Sequence, residues 1–202
     1  IGPGSLPKFP IQGTYFLDTS AAAIEKLEQQ GGKGVVLSAE QPFPFADGFF
    51  DLVGAFEVFE HLENPEKALQ QVARVLKTDG RFIFSIPIHQ KYWTSWDKLA
   101  GHVQRFEPKK LMLLLSQQGF EVECCYTLRL MSKYIPISFL QYISKIGCAI
   151  ISRFPQILCY CRDIGLYPYL WILKIIGRPQ YHTSLNDVPS NGSSLLTICR
   201  KV

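Results

Sequence analysis

The sequence predicts an α/β layered fold built on a mostly parallel sheet. Three observations carry that expectation. Short apolar runs rich in strand-forming residues alternate along the chain with segments of helical periodicity. One such run, "RFIFSIP", is continuously apolar, as in strands buried on both faces. The helical segments are punctuated at both ends by caps, prolines and glycines. The chain has 202 residues and is 47% hydrophobic and 13% aromatic, which suits a sizeable core and argues against global disorder.

The elements follow in order. "GTYFLDTS" reads as a strand from Thr14 to Leu17, closed by Asp18. "TSAAAIEKLEQQGG" reads as a helix that Thr19 or Ser20 can cap and Gly31 ends. "KGVVLSA" is a second strand, and Phe50 to Phe56 a third. "NPEKALQQVARVLKTDG" reads as a helix with Asn64 as cap, Pro65 in its first turn and Gly80 past its end. Leu69, Val72 and Leu76 share its apolar face. "RFIFSIP" is the next strand, "EPKKLMLLLSQQG" the next helix, and "FEVECCYT" and "SSLLTICRKV" the last two strands. Ligands of such sheets bind beyond the carboxyl ends of the strands. The residues to inspect are therefore Gly2 to Gly4, Asp18 and Thr19, Ser38 to Glu40, Phe56 to His61 and Pro87 to Trp96.

The formal net charge of +4 is mild and its basic residues are scattered, which gives no footprint for nucleic acid. The six cysteines show no CxxC spacing and no histidine completes a zinc pattern, so no metal site is expected. Reduced thiols and a cytoplasmic location are the economical reading.

"IGPGS" at the start places two glycines one residue apart, and Asp18 ends the strand that follows. Glycines let backbone approach a ligand closely, and an acid at that place can accept from both ribose hydroxyls. An ordinary turn and a helix cap are the plainer readings of the same residues. The stretch from Ser38 onward separates them. It runs Ala39-Glu40, Pro42 to Phe45, Phe50-Asp51, Glu60-His61, Pro65, Leu76, then Asp79-Gly80 before an apolar strand. This order resembles the class I S-adenosylmethionine-dependent methyltransferases, in particular the branch with quinone and lipid methyltransferases, over residues 1–127 and again at the final strand.

The resemblance implies a Rossmann-like, mostly parallel sheet with helices on both faces and an antiparallel last strand. It implies S-adenosylmethionine as cofactor, held by Gly2, Gly4, Asp18, Thr19, Ala39, Glu40 and Phe56. In that family an apolar strand ending in an acid precedes the glycines. The chain therefore reads as truncated ahead of Ile1, with Leu6 standing where a third glycine is usual. Its domain plan is then a cofactor-binding core over 1–127, a helical apolar insert over 128–193 and a final strand over 194–202.

Methyl transfer from an activated sulfonium asks mainly for positioning, and for a base only where the acceptor loses a proton. The candidate bases are His61 and His102, with His89 behind them. Equally, Glu60 and His61 can organise a loop, and His102 can pack with Arg105. Tyr92, Trp93 and Trp96 cluster after a strand, where they suit a planar or apolar acceptor or simply pack their own loop. In the insert, Phe139, Ile143, Ile146, Ile150 and Phe154 share one helical face, and Tyr167, Tyr169 and Trp171 lie near Lys174. A lid, further core, a dimer contact or a peripheral membrane face all answer to that pattern. Two functions follow: methyl transfer to a small-molecule or lipid-like acceptor, or an inactive scaffold binding a partner or membrane through the insert.

Overall fold

The structure, a computed structural model, describes residues 1–4, 7–129, 180–190 and 192–202. Leu6 and most of the insert, including its apolar stripe, lie outside the described residues.

Strand β1 (Tyr15–Asp18), helix α1 (Ala21–Glu28) and strand β2 (Lys33–Val36) form the first unit. Ser20, rather than Thr19, caps α1, its Oγ accepting from the Ala23 N–H at 3.3 Å. β1 and β2 pair in parallel from Tyr15–Lys33 to Asp18–Val36. Ile24 and Leu27 of α1 pack on Phe16.

The second unit is a five-stranded sheet. Its strands are β3 (Phe50–Phe56), β4 (Leu76–Pro87), β5 (Phe120–Arg129), β6 (Gln180–His182) and β7 (Gly192–Lys201), in the order β3-β4-β7-β5-β6. β3 and β4 are parallel, and β7 inserts antiparallel between β4 and β5, so β3, β4 and β5 share one direction. This is the expected Rossmann-like sheet with its last strand reversed. Helices α2 (Pro65–Val75), α3 (Ser95–Leu99) and α4 (Pro108–Gln117) complete the unit. Phe82, Phe84 and Ile86 of β4 are essentially inaccessible, and the Phe82 and Phe84 rings stack at 4.7 Å.

Two expectations need correction. The helix opened by Asn64 and Pro65 ends at Val75, not just before Gly80, and Leu76 already belongs to β4. Leu76 pairs with Phe50 of β3 and is fully buried, so sheet pairing overrides the helical preference of "LKT". Asp79 takes the left-handed turn (φ 61°) on the way into the ladder. In addition, part of the 128–193 segment extends the sheet: β6 pairs with Cys125 to Thr127 of β5.

The two sheets do not join in a ladder. Between β1 and β3 lies a cavity of about 440 Å³, walled by Tyr15 and Leu17 on one side and Phe50, Val53 and Gly54 on the other. At its end, the Ile1 N–H donates to the Gly54 carbonyl at 2.7 Å and the Gly2 N–H to the Leu17 carbonyl at 2.8 Å. Phe9 reaches into the cleft and covers Gly54, where a Cβ would overlap its ring. Tyr15 meets Phe45, Phe49 and Phe50 edge-on.

The core of the second unit should be intolerant of truncation. Phe84→Ala is expected to cost about 3–5 kcal/mol, because a stacked, inaccessible ring is replaced by a void. Urea denaturation of the two proteins measures it, with the midpoint falling and the slope unchanged.

Candidate active site

The carboxyl ends of β1 and β3 carry the expected ligand-binding residues. The 1–4 turn arrives beside Asp18. Gly4 N–H donates to Asp18 Oδ2 at 3.2 Å, and Ser20 N–H donates to Oδ1 at 2.9 Å. Each carboxylate oxygen thus keeps a lone pair for a further donor. Gly2 has φ 57°, and a Cβ there would lie 2.5 Å from the Val58 side chain, so both conformation and space demand glycine. Gly4 also has a left-handed φ, of 55°, but faces open space. Thr19 is exposed.

The loop after β2 lies against the loop before α2. Glu40 Oε1 accepts from the Asn64 N–H at 2.5 Å, and Ala39 is buried in the main core beside Leu17 and Phe43. Phe56 closes β3, its ring 5.8 Å from that of Phe9. Glu57 follows at φ 54°, its Oε1 accepting from Ser85 Oγ at 2.7 Å. The sequence therefore brings Gly2, Gly4 and Asp18 into one contact set. Glu40 belongs to an adjoining one, and Phe56 lines the cavity between β1 and β3 together with Gly2.

Beyond Phe56, a 3₁₀ turn over Phe59–His61 presents Glu60 and His61. His61 Nδ1 lies 3.1 Å from the Gly101 carbonyl, which can only accept, so Nδ1 carries the proton. The His61 and His102 rings meet edge-to-face at 4.9 Å. His102 Nδ1 lies 3.0 Å from Asp97 Oδ1, and Arg105 Nε donates to the same oxygen at 2.7 Å. Burial alone would push the Asp97 carboxyl up. The hydrogen bonds from His102 and Arg105, with the guanidinium charge, instead hold it well below the usual carboxylate range. An ionised Asp97 fixes the His102 proton on Nδ1 and leaves Nε2 facing Glu60, 3.9 Å from Oε1.

Glu60 is the opposite case. Its side chain is fully buried and neither oxygen is satisfied by a hydrogen bond of ordinary geometry. Burial first, and the Glu57 charge second, push its pKa up to about 9.

The two candidate bases, His61 and His102, are thus neighbours. His102 and Arg105 do pack together, but through Asp97. That residue escapes a sequence reading because its partners are five and eight positions away across a bend. The Thr94–Asp97 spacing of a helix-capping box was its one visible signal, and the box forms. His89 stands apart from the other histidines. Its Nδ1 meets Glu107 Oε2 at 2.9 Å and its Nε2 the Pro189 carbonyl at 3.3 Å. Tyr92 is buried and donates to the Ser190 carbonyl at 3.3 Å, so that aromatic ties loops together.

With this geometry in view, comparison with known proteins places the chain. Residues 6–84 match the family model described as a methyltransferase domain. A SAM-dependent methyltransferase of Thermotoga maritima, described as a possible histamine N-methyltransferase, superposes with a TM-score of 0.60 at 17% identity. That match covers 100% of this chain and 79% of the other. The [4+2]-cyclase SpnF superposes at 0.54 with 15% identity, covering 93% and 66%. By fold the chain is similar to S-adenosylmethionine-dependent methyltransferases, and its residues 6–84 carry the methyltransferase-domain pattern. Among individual relatives, it is 41% identical over 54 residues to a sarcosine/dimethylglycine N-methyltransferase of Halorhodospira halochloris, covering 27% of this chain and 19% of that protein. An uncharacterised protein of Methanocaldococcus jannaschii is 33% identical over 86 residues, covering 43% and 41%. The chain thus spans well under half the length of the curated relatives it matches.

The buried carboxyls give two expectations of opposite sign. Because the folded pKa of Glu60 lies above its unfolded value, its favourable contribution is complete below pH 4.5 and is lost as pH rises toward about 9. Glu60→Gln should therefore melt increasingly above the parent from neutral to alkaline pH, in buffer free of divalent metal, and gain nothing in acid. Thermal melts across that range decide it. Asp97→Ala should cost about 3–5 kcal/mol at neutral pH, since it leaves the Arg105 guanidinium buried without its counter-ion. Chemical denaturation reads the loss directly.

Proposed function

We propose that this chain serves S-adenosylmethionine-dependent methyl transfer to a small-molecule or lipid-like acceptor. The observation that carries the reading is the contact between the 1–4 turn and Asp18, with two left-handed glycines and an open side at Gly4. Those features fit the cofactor: a backbone that comes close without side chains, beside a carboxylate with acceptor capacity left over. When bound, the cofactor supplies a methyl group already activated on sulfonium. Gly2 and Gly4 would bring backbone against its methionine end. Asp18 would accept from the ribose hydroxyls, with Thr19 at the rim. Ala39 and Glu40 would border the adenine, and Phe56 would contribute backbone at the reacting centre. His61, exposed and one turn past β3, would take a proton from the acceptor where the chemistry requires it, with His102 behind it.

A small acceptor is supported by the name of the Halorhodospira relative, a sarcosine/dimethylglycine N-methyltransferase. The apolar composition of residues 134–177 supports an acceptor, or a membrane surface, of lipid character, met from the cytoplasm. No helix among the described residues is long and apolar enough to cross a membrane.

Asp18→Ala should weaken S-adenosylmethionine binding by about tenfold or more, since hydrogen bonds to a charged group are worth roughly 1.5–3 kcal/mol. Calorimetry on the parent and the variant tests it, followed by labelled-methyl transfer to a panel of amines, quinols and phospholipids. An unchanged affinity removes the site assignment. Binding without transfer to any acceptor favours an inactive scaffold with the insert as its interaction surface.

A further inference from the structure

We propose that Glu60, His61 and His102 bind one divalent transition-metal ion of the zinc class. One ligand atom from each lies within 4.8 Å of the others. Glu60 supplies the independent observation. Its carboxyl group is fully buried and neither oxygen is satisfied by a hydrogen bond of ordinary geometry, the neighbouring Glu57 carboxylate interacting with it, as do His102 and Arg105. An orphaned carboxyl is costly in a packed interior, and coordination to a cation is one of the few arrangements that satisfies it.

Both histidines are prepared for the same ion. Asp97 holds the Nδ1 proton of His102 and turns the free Nε2 toward Glu60. A carboxylate behind a ligating imidazole is the usual device for fixing tautomer and ring orientation at a metal. The Gly101 carbonyl does the equivalent for His61, leaving its Nε2 lone pair available. Glu57 adds negative charge beside Glu60, which favours a cation, while Arg105, whose charge also reaches Glu60, is engaged by Asp97. His61 is exposed, so the ion has a route in and open positions for water or an acceptor atom.

The donor set selects the metal. Two imidazole nitrogens and one carboxylate suit Zn²⁺, Co²⁺ or Fe²⁺, whereas Mg²⁺ and Ca²⁺ prefer oxygens throughout. The sequence pattern hides the site because it contains no thiolate pair and its third ligand is 41 residues beyond the second. Metal binding is read without S-adenosylmethionine, so this proposal stands or falls apart from methyl transfer; the ion and the proton-accepting role of His61 are alternatives, since both use the Nε2 lone pair.

The test uses the full chain stripped with chelator, titrated with Zn²⁺ by calorimetry and with Co²⁺ by visible absorption. One ion should bind per chain, with a Co²⁺ spectrum free of thiolate charge transfer. His61→Ala, a change at an exposed side chain that leaves the core intact, should weaken binding by about tenfold or more, and Glu60→Gln should do the same. Unchanged Zn²⁺ affinity in His61→Ala, a thiolate band placing Co²⁺ on cysteine, saturation by Mg²⁺ but not Zn²⁺, or no saturable binding would each overturn it.

Discussion

Strands β1 and β3 face each other across a cleft that is bridged by backbone hydrogen bonds at Ile1 and Gly2. The geometry of the candidate cofactor site depends on that bridge. Ile1 fixes the turn to the five-stranded sheet through Gly54, and Gly2 fixes it to the two-stranded sheet through Leu17. Gly4 is thereby delivered to Asp18, and Gly2 is pressed against Val58, the residue that opens the turn carrying Glu60 and His61. A shift of one sheet against the other would separate Asp18 from the glycines and the glycines from the histidines together. What resists the shift inside the cleft is largely aromatic: Phe9 over Gly54, and Tyr15 against three phenylalanines. Such contacts are individually worth about 0.5–1.5 kcal/mol beyond burial and are less directional than a strand ladder. The cavity between β1 and β3 is therefore a feature of sheet assembly. It lies between strands and has Gly2 and Phe56 in its walls, whereas Asp18 and Glu40 of the candidate site lie outside them.

Much of this architecture was legible in the sequence because it is written in local chemistry. Ser20, Asn64 and Pro65 act at helix starts, and Gly31 and Gly119 take left-handed turns past helix ends. "RFIFSIP" is a strand, but only Phe82, Phe84 and Ile86 on one face and Pro87 at its end are buried, while Ile83 and Ser85 are half-buried and Arg81 is exposed. The contact between Gly4 and Asp18 was legible through a family pattern, since nothing local says that those two positions meet. What escaped is set by tertiary pairing. Val75 ends α2 because Leu76 has a strand partner in Phe50, and no periodicity in "ARVLKTDG" carries that information. β6 exists because Cys125 to Thr127 offer an edge, which a sequence scan cannot see. Glu60 reads as an ordinary loop acid beside His61. Its burial follows from the 95–105 segment folding back over it, with Val103 N–H donating to the Glu60 carbonyl at 2.8 Å.

That covering segment is in turn held by one charge. Asp97 accepts from the Thr94 N–H at 2.7 Å and from Arg105 at 2.7 Å, and it orients His102. Arg105 then reaches the carbonyls of Ile88 and Ser193, each at 3.4 Å. Ile88 lies just past β4, and Ser193 just before the part of β7 that pairs with β4; the Ile88 N–H donates to the Ser193 carbonyl at 3.0 Å. The antiparallel insertion of β7 thus supplies one of the two carbonyls that seat Arg105 and pairs with the other's residue. Arg105 holds Asp97 ionised, and ionised Asp97 sets which nitrogen of His102 faces Glu60. The chemistry available beside the candidate cofactor site is decided by a tautomer, and the tautomer is supported by a strand that contributes none of its own side chains to the candidate site. A carboxamide at position 97 would keep the shape of this chain of contacts. It would also offer His102 either a donor or an acceptor, and so release the proton from Nδ1, which separates the electrostatic role of Asp97 from its packing.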